Sequence, residues 1–279
     1  MTDLACRLCA SPSLAHLFRK QGTDYWACRA CGFRLATPRT NPNLANTLDE
    51  YEQAYLQYLA PDRADRDNFE SLCAWMERFQ PLAGRRLLDV GAGSGKLVRF
   101  LRERGVDASG LEPSRALFAR FLAGDAAFSC ATLDEVRPPA GQPADIVTAF
   151  DVIEHVVDPL GFIDAAAAVL KPGGSFFVST PDAGSLTARL SGRRWHFYYP
   201  YHLSYFSRPT LERAAAARGF TLLDCRYRGR RRSVGYMIRY AAEFIGHRRA
   251  PVWAARFDDW HWPVNLFDTM YLCLRRRPA

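Results

Sequence analysis

The feature that most constrains this chain is the run Leu87-Leu88-Asp89-Val90-Gly91-Ala92-Gly93-Ser94-Gly95. A short apolar run enters a glycine-rich turn, and helical spacing begins at Lys96. Glycine there lets the backbone adopt positive φ and lets a ligand approach the main chain closely. Glu112 ends the next predicted strand, one βα unit later, where a carboxylate can accept hydrogen bonds from two ribose hydroxyls. Such a strand–turn–helix belongs to a doubly wound sheet, which binds ligands at the carboxyl ends of its strands. A dinucleotide site wants G-x-G-x-x-G facing a pyrophosphate. Here the glycines follow G-x-G-x-G behind Asp89, whose charge suits a cationic amino-acid group instead and argues against a nicotinamide oxidoreductase.

The alternation continues to the end of the chain. Strands are predicted over 86–90, 108–111, 128–131, 145–150, 175–180, 220–227 and 268–274, with helices over 96–104, 113–122, 159–170 and 210–218. The fold class is α/β: a Rossmann-like, doubly wound seven-stranded sheet over 83–279, preceded by a helical linker or cap over 41–82. In that linker, a helix over 66–79 presents Phe69, Leu72, Cys73, Met76 and Phe79 to the main core. Tyr51, Tyr55 and Tyr58 share another helix face, which reads either as a packing face or as a cap over the cofactor pocket.

Residues 1–40 are a separate module, bounded by Pro38 and Asn41-Pro42. Cys6-x-x-Cys9 and Cys28-x-x-Cys31 supply four thiolates in two knuckles, with Gly32 at a turn and ribbon strands at 14–18 and 24–27. Four thiolates close a tetrahedral shell, so this zinc is structural and the ribbon stands away from the chemistry. The remaining cysteines, Cys73, Cys130, Cys225 and Cys273, are scattered singly and read as buried small hydrophobes.

Charge narrows the partners. The net charge of +8 favours anionic partners: phosphorylated or nucleotide-linked small molecules, RNA, or a membrane surface. Arg226, Arg228 and Arg230–Arg232 cluster, as do Arg275–Arg277; a solvated face is the plain alternative. The first cluster opens an insertion over 229–265. A helix over 234–245 there carries an apolar stripe of Tyr236, Met237, Tyr240, Ala241 and Phe244, followed by Trp253, Trp260 and Trp262. A substrate lid leads over a membrane-surface helix and a homodimer contact. No basic segment precedes an apolar run at the N-terminus, and no apolar run reaches spanning length, so a soluble cytoplasmic protein is expected.

LLDVGAGSGKL, GLEPS, DVIEHVVDP, LKPGG and FVSTP in this order resemble the successive motifs of class I S-adenosylmethionine-dependent methyltransferases, over about residues 83–228. The resemblance implies S-adenosyl-L-methionine as cofactor. Asp89, Gly91, Ala92 and Gly93 would lie at its methionine part, Glu112 and Pro113 at the ribose, Thr132 and Leu133 at the adenine, and Phe150 and Asp151 between cofactor and substrate. The ribbon and the segment from Trp195 through His202-Leu203-Ser204-Tyr205-Phe206-Ser207 resemble bacterial enzymes of polysaccharide and natural-product clusters. Glu154-His155 and Ser179-Thr180 resemble ubiquinone-biosynthesis O-methyltransferases.

Methyl transfer from a sulfonium needs alignment, exclusion of water and a deprotonated nucleophile. A hydroxyl nucleophile needs a base or a metal. His155 or His202 is a candidate base. Asp151, Glu154, His155 and His202 together are a candidate ligand set for a second, catalytic ion, Mg2+ or Zn2+. Loop support by Glu154 and His155 is the third reading. His196, beside Trp195 and Phe197-Tyr198-Tyr199, reads as a substrate wall or as core. The leading expectation is O-methylation of a small-molecule, natural-product or glycan precursor. C- or N-methylation of a sugar or natural-product intermediate, RNA methylation, and a non-catalytic scaffold are the alternatives.

Overall fold

The computed structural model describes residues 4–37, 64–136, 142–242 and 249–278. Pro38, Asn41, Pro42, the Tyr51–Tyr55–Tyr58 face, and Phe244 and Ile245 of the insertion helix lie outside the described residues. The chain forms β1 (Leu14–Lys20), β2 (Thr23–Cys28), β3 (Arg34–Thr37), α1 (Ala64–Met76), β4 (Arg86–Val90), α2 (Lys96–Glu103), β5 (Asp107–Leu111), α3 (Arg115–Phe121) and β6 (Phe128–Ser129). It continues through β7 (Ala144–Phe150), α4 (Pro159–Val169), β8 (Leu170–Pro181), α5 (Leu186–Ser191), β9 (Ser204–Tyr205) and α6 (Arg208–Ala216). The last elements are β10 (Phe220–Tyr227), β11 (Arg230–Ser233), α7 (Val234–Tyr240), β12 (His261–Val264) and β13 (Thr269–Arg276).

Local signals start the helices where the sequence places them. Ser114 Oγ accepts from the Leu117 amide at the head of α3, and Asp158 Oδ1 accepts from the Leu160 and Gly161 amides at the head of α4, with Pro159 in the first turn.

The central sheet has seven strands in the order β10-β13-β8-β7-β4-β5-β6, with β13 antiparallel to both neighbours. Successive residues face opposite sides. Ile146, Phe177 and Cys273 pack with Trp75, Met76, Leu97 and Leu101 of α1 and α2. Val147, Val178 and Leu272 pack with Ile163, Ala166, Leu211 and Ala215 of α4 and α6. The strand order reverses between β4 and β7, so the glycine turn after β4 and Phe150-Asp151 after β7 meet at the crevice where this topology places ligands.

The ribbon is not set apart. Its strand β3 pairs antiparallel with β9, Leu35 opposite Ser204 and Arg34 opposite Tyr205, making a four-stranded sheet β1-β2-β3-β9. Cys6, Cys28, Phe33 and Leu35 are buried in the same cluster as the α4 and α6 face. Tyr25 joins Trp195, Tyr198 and Tyr205 in an aromatic cluster between the ribbon and the segment before β9. The ribbon, expected to stand apart, is joined by strand pairing to a segment some 170 residues downstream of β3 in sequence.

Other expectations are corrected as well. Cys73 and Cys273 are buried, whereas Cys130 is exposed. Of the C-terminal arginines, half-buried Arg275 donates to the Phe79 and Gly173 carbonyls, and exposed Arg277 donates to that of Ala216. The insertion folds into the antiparallel pair β11–β12 with α7 between them in the chain, and Asn68 of α1 bonds both backbone groups of Arg231. Among the described residues no helix is long and apolar enough to cross a membrane.

Candidate active site

A cavity of about 2090 Å³ opens at the carboxyl ends of β4, β5 and β7, and every nominated cofactor residue from Asp89 to Asp151 lines it, as do Glu154, His155 and His202. Gly91 has φ +74°, and a Cβ there would meet Val152 Cγ2 at 2.6 Å. Gly95, at φ +76°, heads α2, and a Cβ would meet Leu122 and Phe128 at 2.7 Å. The turn therefore needs glycine both for its backbone conformation and for space.

Two buried carboxylates flank that turn. Glu112 accepts from the Gly93 amide at 2.9 Å and the Ser114 amide at 2.8 Å, which ties β5 to the glycine loop. Burial pushes its carboxyl up, and these two amides oppose the shift. Asp89 is 5% exposed and takes the Thr148 hydroxyl at 2.6 Å. Burial, partly opposed by that hydroxyl and reinforced by the Glu112 charge, pushes Asp89 up to about 7.

Asp151 has φ +57°, unusual for a residue with a Cβ. One carboxylate oxygen accepts from Ser179 Oγ at 2.7 Å and the other from Arg230 Nη2 at 2.5 Å. Arg230 also donates to the Tyr271 hydroxyl. Burial raises the Asp151 carboxyl, but Arg230 and Ser179 outweigh it and hold it below its ordinary value.

Glu154, His155 and His202 form a group of their own, with one ligand atom from each lying within 4.8 Å of the others. Asp151, expected as a fourth member, is held by Ser179 and Arg230 instead. His155 Nδ1 lies 2.9 Å from the Tyr201 carbonyl. A carbonyl only accepts, so that nitrogen carries the proton and Nε2 keeps its lone pair. Both Glu154 oxygens and His202 Nδ1 are buried without a hydrogen-bond partner. Burial, then the Asp151 charge, pushes Glu154 well above its usual range; burial pushes both histidines down, His202 furthest. Orphaned buried acceptors in a mixed carboxylate–imidazole set are the donor chemistry of a divalent ion.

The ribbon holds one side of this group. The Glu154 carbonyl accepts from the Leu203 and Ser204 amides. The Leu203 carbonyl in turn accepts from the Ala36 amide at 3.1 Å and from Arg7 Nη1 at 2.9 Å. Arg7 stands inside the first cysteine knuckle and also donates to the Ala36 carbonyl. In the ribbon, Cys6 and Cys31 sulfurs lie 3.6 Å apart, as do those of Cys9 and Cys28, and all four cysteines are free. The edge of a tetrahedron with 2.3 Å zinc–sulfur bonds is about 3.8 Å, so these thiols fit a closed zinc shell.

A model of the methyltransferase domain family matches residues 64–224. The chain belongs to that family. A ubiquinone biosynthesis O-methyltransferase of Ralstonia nicotianae is 36% identical over 112 residues, 38% of this chain and 47% of that protein. The enzyme of the same description from Bradyrhizobium diazoefficiens is 39% identical over 105 residues, 36% of this chain and 41% of that protein. The chain thus spans less than half the length of these curated relatives. A Thermotoga maritima structure described as an S-adenosylmethionine-dependent methyltransferase, possible histamine N-methyltransferase, superposes with a TM-score of 0.53 at 16% identity, covering 85% of this chain and all of that one. Magnesium protoporphyrin IX methyltransferase of Synechocystis, with S-adenosylhomocysteine bound, gives 0.51 at 13% identity, covering 77% and 84%. At such identities the two structures share the fold.

Two parts of the candidate site were not legible in the sequence. Arg230 was read within a cluster whose plain alternative was a solvated face, yet it pairs with Asp151, and Arg228 lies over the Trp75 and Tyr271 rings. Arg7 carries no signal beyond its place between Cys6 and Cys9. The aromatic segment divides: Trp195 is fully buried, donating to Asp268, while His196, Phe197 and Tyr199 line the cavity. From the insertion, Tyr236, Met237 and Tyr240 line it too.

Proposed function

We propose that the chain transfers the methyl group of S-adenosylmethionine to a hydroxyl oxygen of a small-molecule, natural-product or glycan precursor. The observation that carries this reading is the Glu154–His155–His202 group, with buried orphaned acceptors on Glu154 and His202, in the lining of the cavity that holds Asp89 and Glu112. The cofactor supplies a methyl on a sulfonium, already activated for displacement. Asp89 faces its ammonium group, Glu112 its ribose, and the bare glycine backbone its methionine chain. Thr132 and Leu133 hold the adenine.

An alcohol oxygen attacks only when its proton is drawn off. Glu154, His155 and His202 would hold a magnesium or zinc ion, whose charge would lower the pKa of an acceptor hydroxyl beside it. A second reading rests on His155 Nε2, whose free lone pair suits a general base. The insertion, with Tyr236, Met237 and Tyr240 on the cavity, acts as a lid that excludes water. Incubating the protein with labelled cofactor and an extract should give a metabolite heavier by one methylene. Chelation with EDTA should stop the transfer and magnesium or zinc restore it, with ribbon zinc content followed in parallel. Full activity after chelation would leave His155 as the base.

Cofactor binding should depend on pH. Asp89, raised to about 7, is largely protonated below that value, whereas the cofactor's ammonium group binds the ionised form. Affinity should therefore fall as pH drops through 7, about tenfold per unit below it. Calorimetric titration between pH 5 and 7 reads this dependence, and Asp89→Asn should bind weakly with a flat profile. A flat profile in the parent protein would remove Asp89 from the cofactor's ammonium.

A further inference from the structure

One wall of the cavity is built by the ribbon's β1–β2 turn, where Lys20 and Gln21 face inward; Gln21 holds φ +50°. The opposite chain segment, between α5 and β9, brings Arg193, Arg194 and His196 to the same cavity. Lys20 is partly buried, and it lines the same cavity as His196. Several cations on this cavity are paired: Lys96 with Asp65, Arg230 with Asp151, Arg239 with Asp258. Among the described residues Lys20, Arg193 and Arg194 form no ion pair. The nearby Asp268 is already engaged, accepting the Trp195 indole hydrogen and lying 3.8 Å from His196 Nε2.

Lys20, partly buried, and the exposed Arg193 and Arg194 thus bring three cations without an ion pair to one cavity, where an anionic ligand group would balance them. The residues assigned to the cofactor follow β4, β5, β6 and β7, so its own charges lie against other parts of the lining. The cavity is also large: small-molecule sites commonly enclose about 300–1,000 Å³, and this one reaches about 2090 Å³. We infer that Lys20, Arg193 and Arg194 form a subsite for a phosphate or diphosphate group carried by the methyl acceptor. Two guanidinium groups can fork onto phosphate oxygens while the ammonium serves as a point charge. The ribbon, through Lys20, thereby selects the acceptor. This rests on the reading of the cavity as an acceptor pocket.

Inorganic pyrophosphate is the probe, titrated calorimetrically into the full-length protein, with S-adenosylmethionine titrated separately. Saturable pyrophosphate binding is expected. It should weaken at least tenfold in Lys20→Ala and in the Arg193→Ala/Arg194→Ala pair, and recover in Lys20→Arg. Arg102→Ala, an exposed cation of α2, should leave it unchanged. S-adenosylmethionine affinity should stay level throughout. Absent pyrophosphate binding, or equal weakening in Arg102→Ala, would overturn the subsite. Loss of S-adenosylmethionine binding in the parent protein would instead strike the methyltransferase reading.

Discussion

The variant Glu154→Met is expected to lose methyl transfer by about 10³-fold, the middle of the range for acid–base assistance, while its metal-free form melts several degrees higher than the parent. Both effects have one cause. Glu154 is 1% exposed, and neither of its oxygens finds a hydrogen-bond partner. An unsatisfied buried polar group costs about 1–3 kcal/mol, and methionine of similar length fills the space without that cost. A residue kept for packing would show the opposite pattern, with activity retained and stability lower. His202→Ala should match the loss of transfer, because its Nδ1 is the other orphan of the group, but it opens a void and should melt lower. In both variants S-adenosylmethionine affinity should stay within about twofold, since neither residue belongs to the set assigned to the cofactor. Retained turnover in both would remove this group from the chemistry.

Emptying the ribbon of metal should cost about 10²-fold in turnover, although no cysteine of the shell lines the cavity. The route is mechanical. The first knuckle fixes Arg7, Arg7 and the Ala36 amide hold the Leu203 carbonyl, and Leu203 follows His202 directly. In Cys28→Ser/Cys31→Ser the strand β3 loses its anchor, β9 loosens, and His202 leaves its place beside Glu154. Arg7→Ala keeps all four cysteines and removes the charge-assisted bonds to the Leu203 and Ala36 carbonyls, each worth about 1.5–3 kcal/mol. It should lower turnover about tenfold at unchanged zinc content, and Arg7→Lys should recover part of it. Hydrogen exchange at residues 202–206 gives an independent measure, with protection lost in both variants. Normal protection and turnover in both would reduce the ribbon to an appendage.

The central sheet was legible because its signals are local. Apolar runs, the glycine turn and capping residues such as Ser114 and Asp158 each declare themselves within a few positions, and strand 220–227 was placed to the residue. What was hidden depends on distant pairing. β9 is two residues long, and its partner Leu35 lies far back in the chain, so no periodicity within either segment reveals it. β11 and β12 were hidden for the same reason. Asp151 was grouped with Glu154 by spacing alone, yet spacing carries no information about a residue at positive φ. The turn points the carboxylate at Ser179 and at Arg230, which was read among clustered arginines.

The pairing of Leu35 with Ser204 also sets an order of assembly. A chain made from its N-terminus completes both cysteine knuckles early, but the edge of β3 has no partner until residues 204 and 205 have emerged. Closing so long a loop is entropically slow relative to the local knuckles and βα units. The metal can therefore be taken up before the catalytic pocket exists. In the meantime the open edge of β3, with Phe33 and Leu35 beside it, is the part of the nascent chain most exposed to wrong partners.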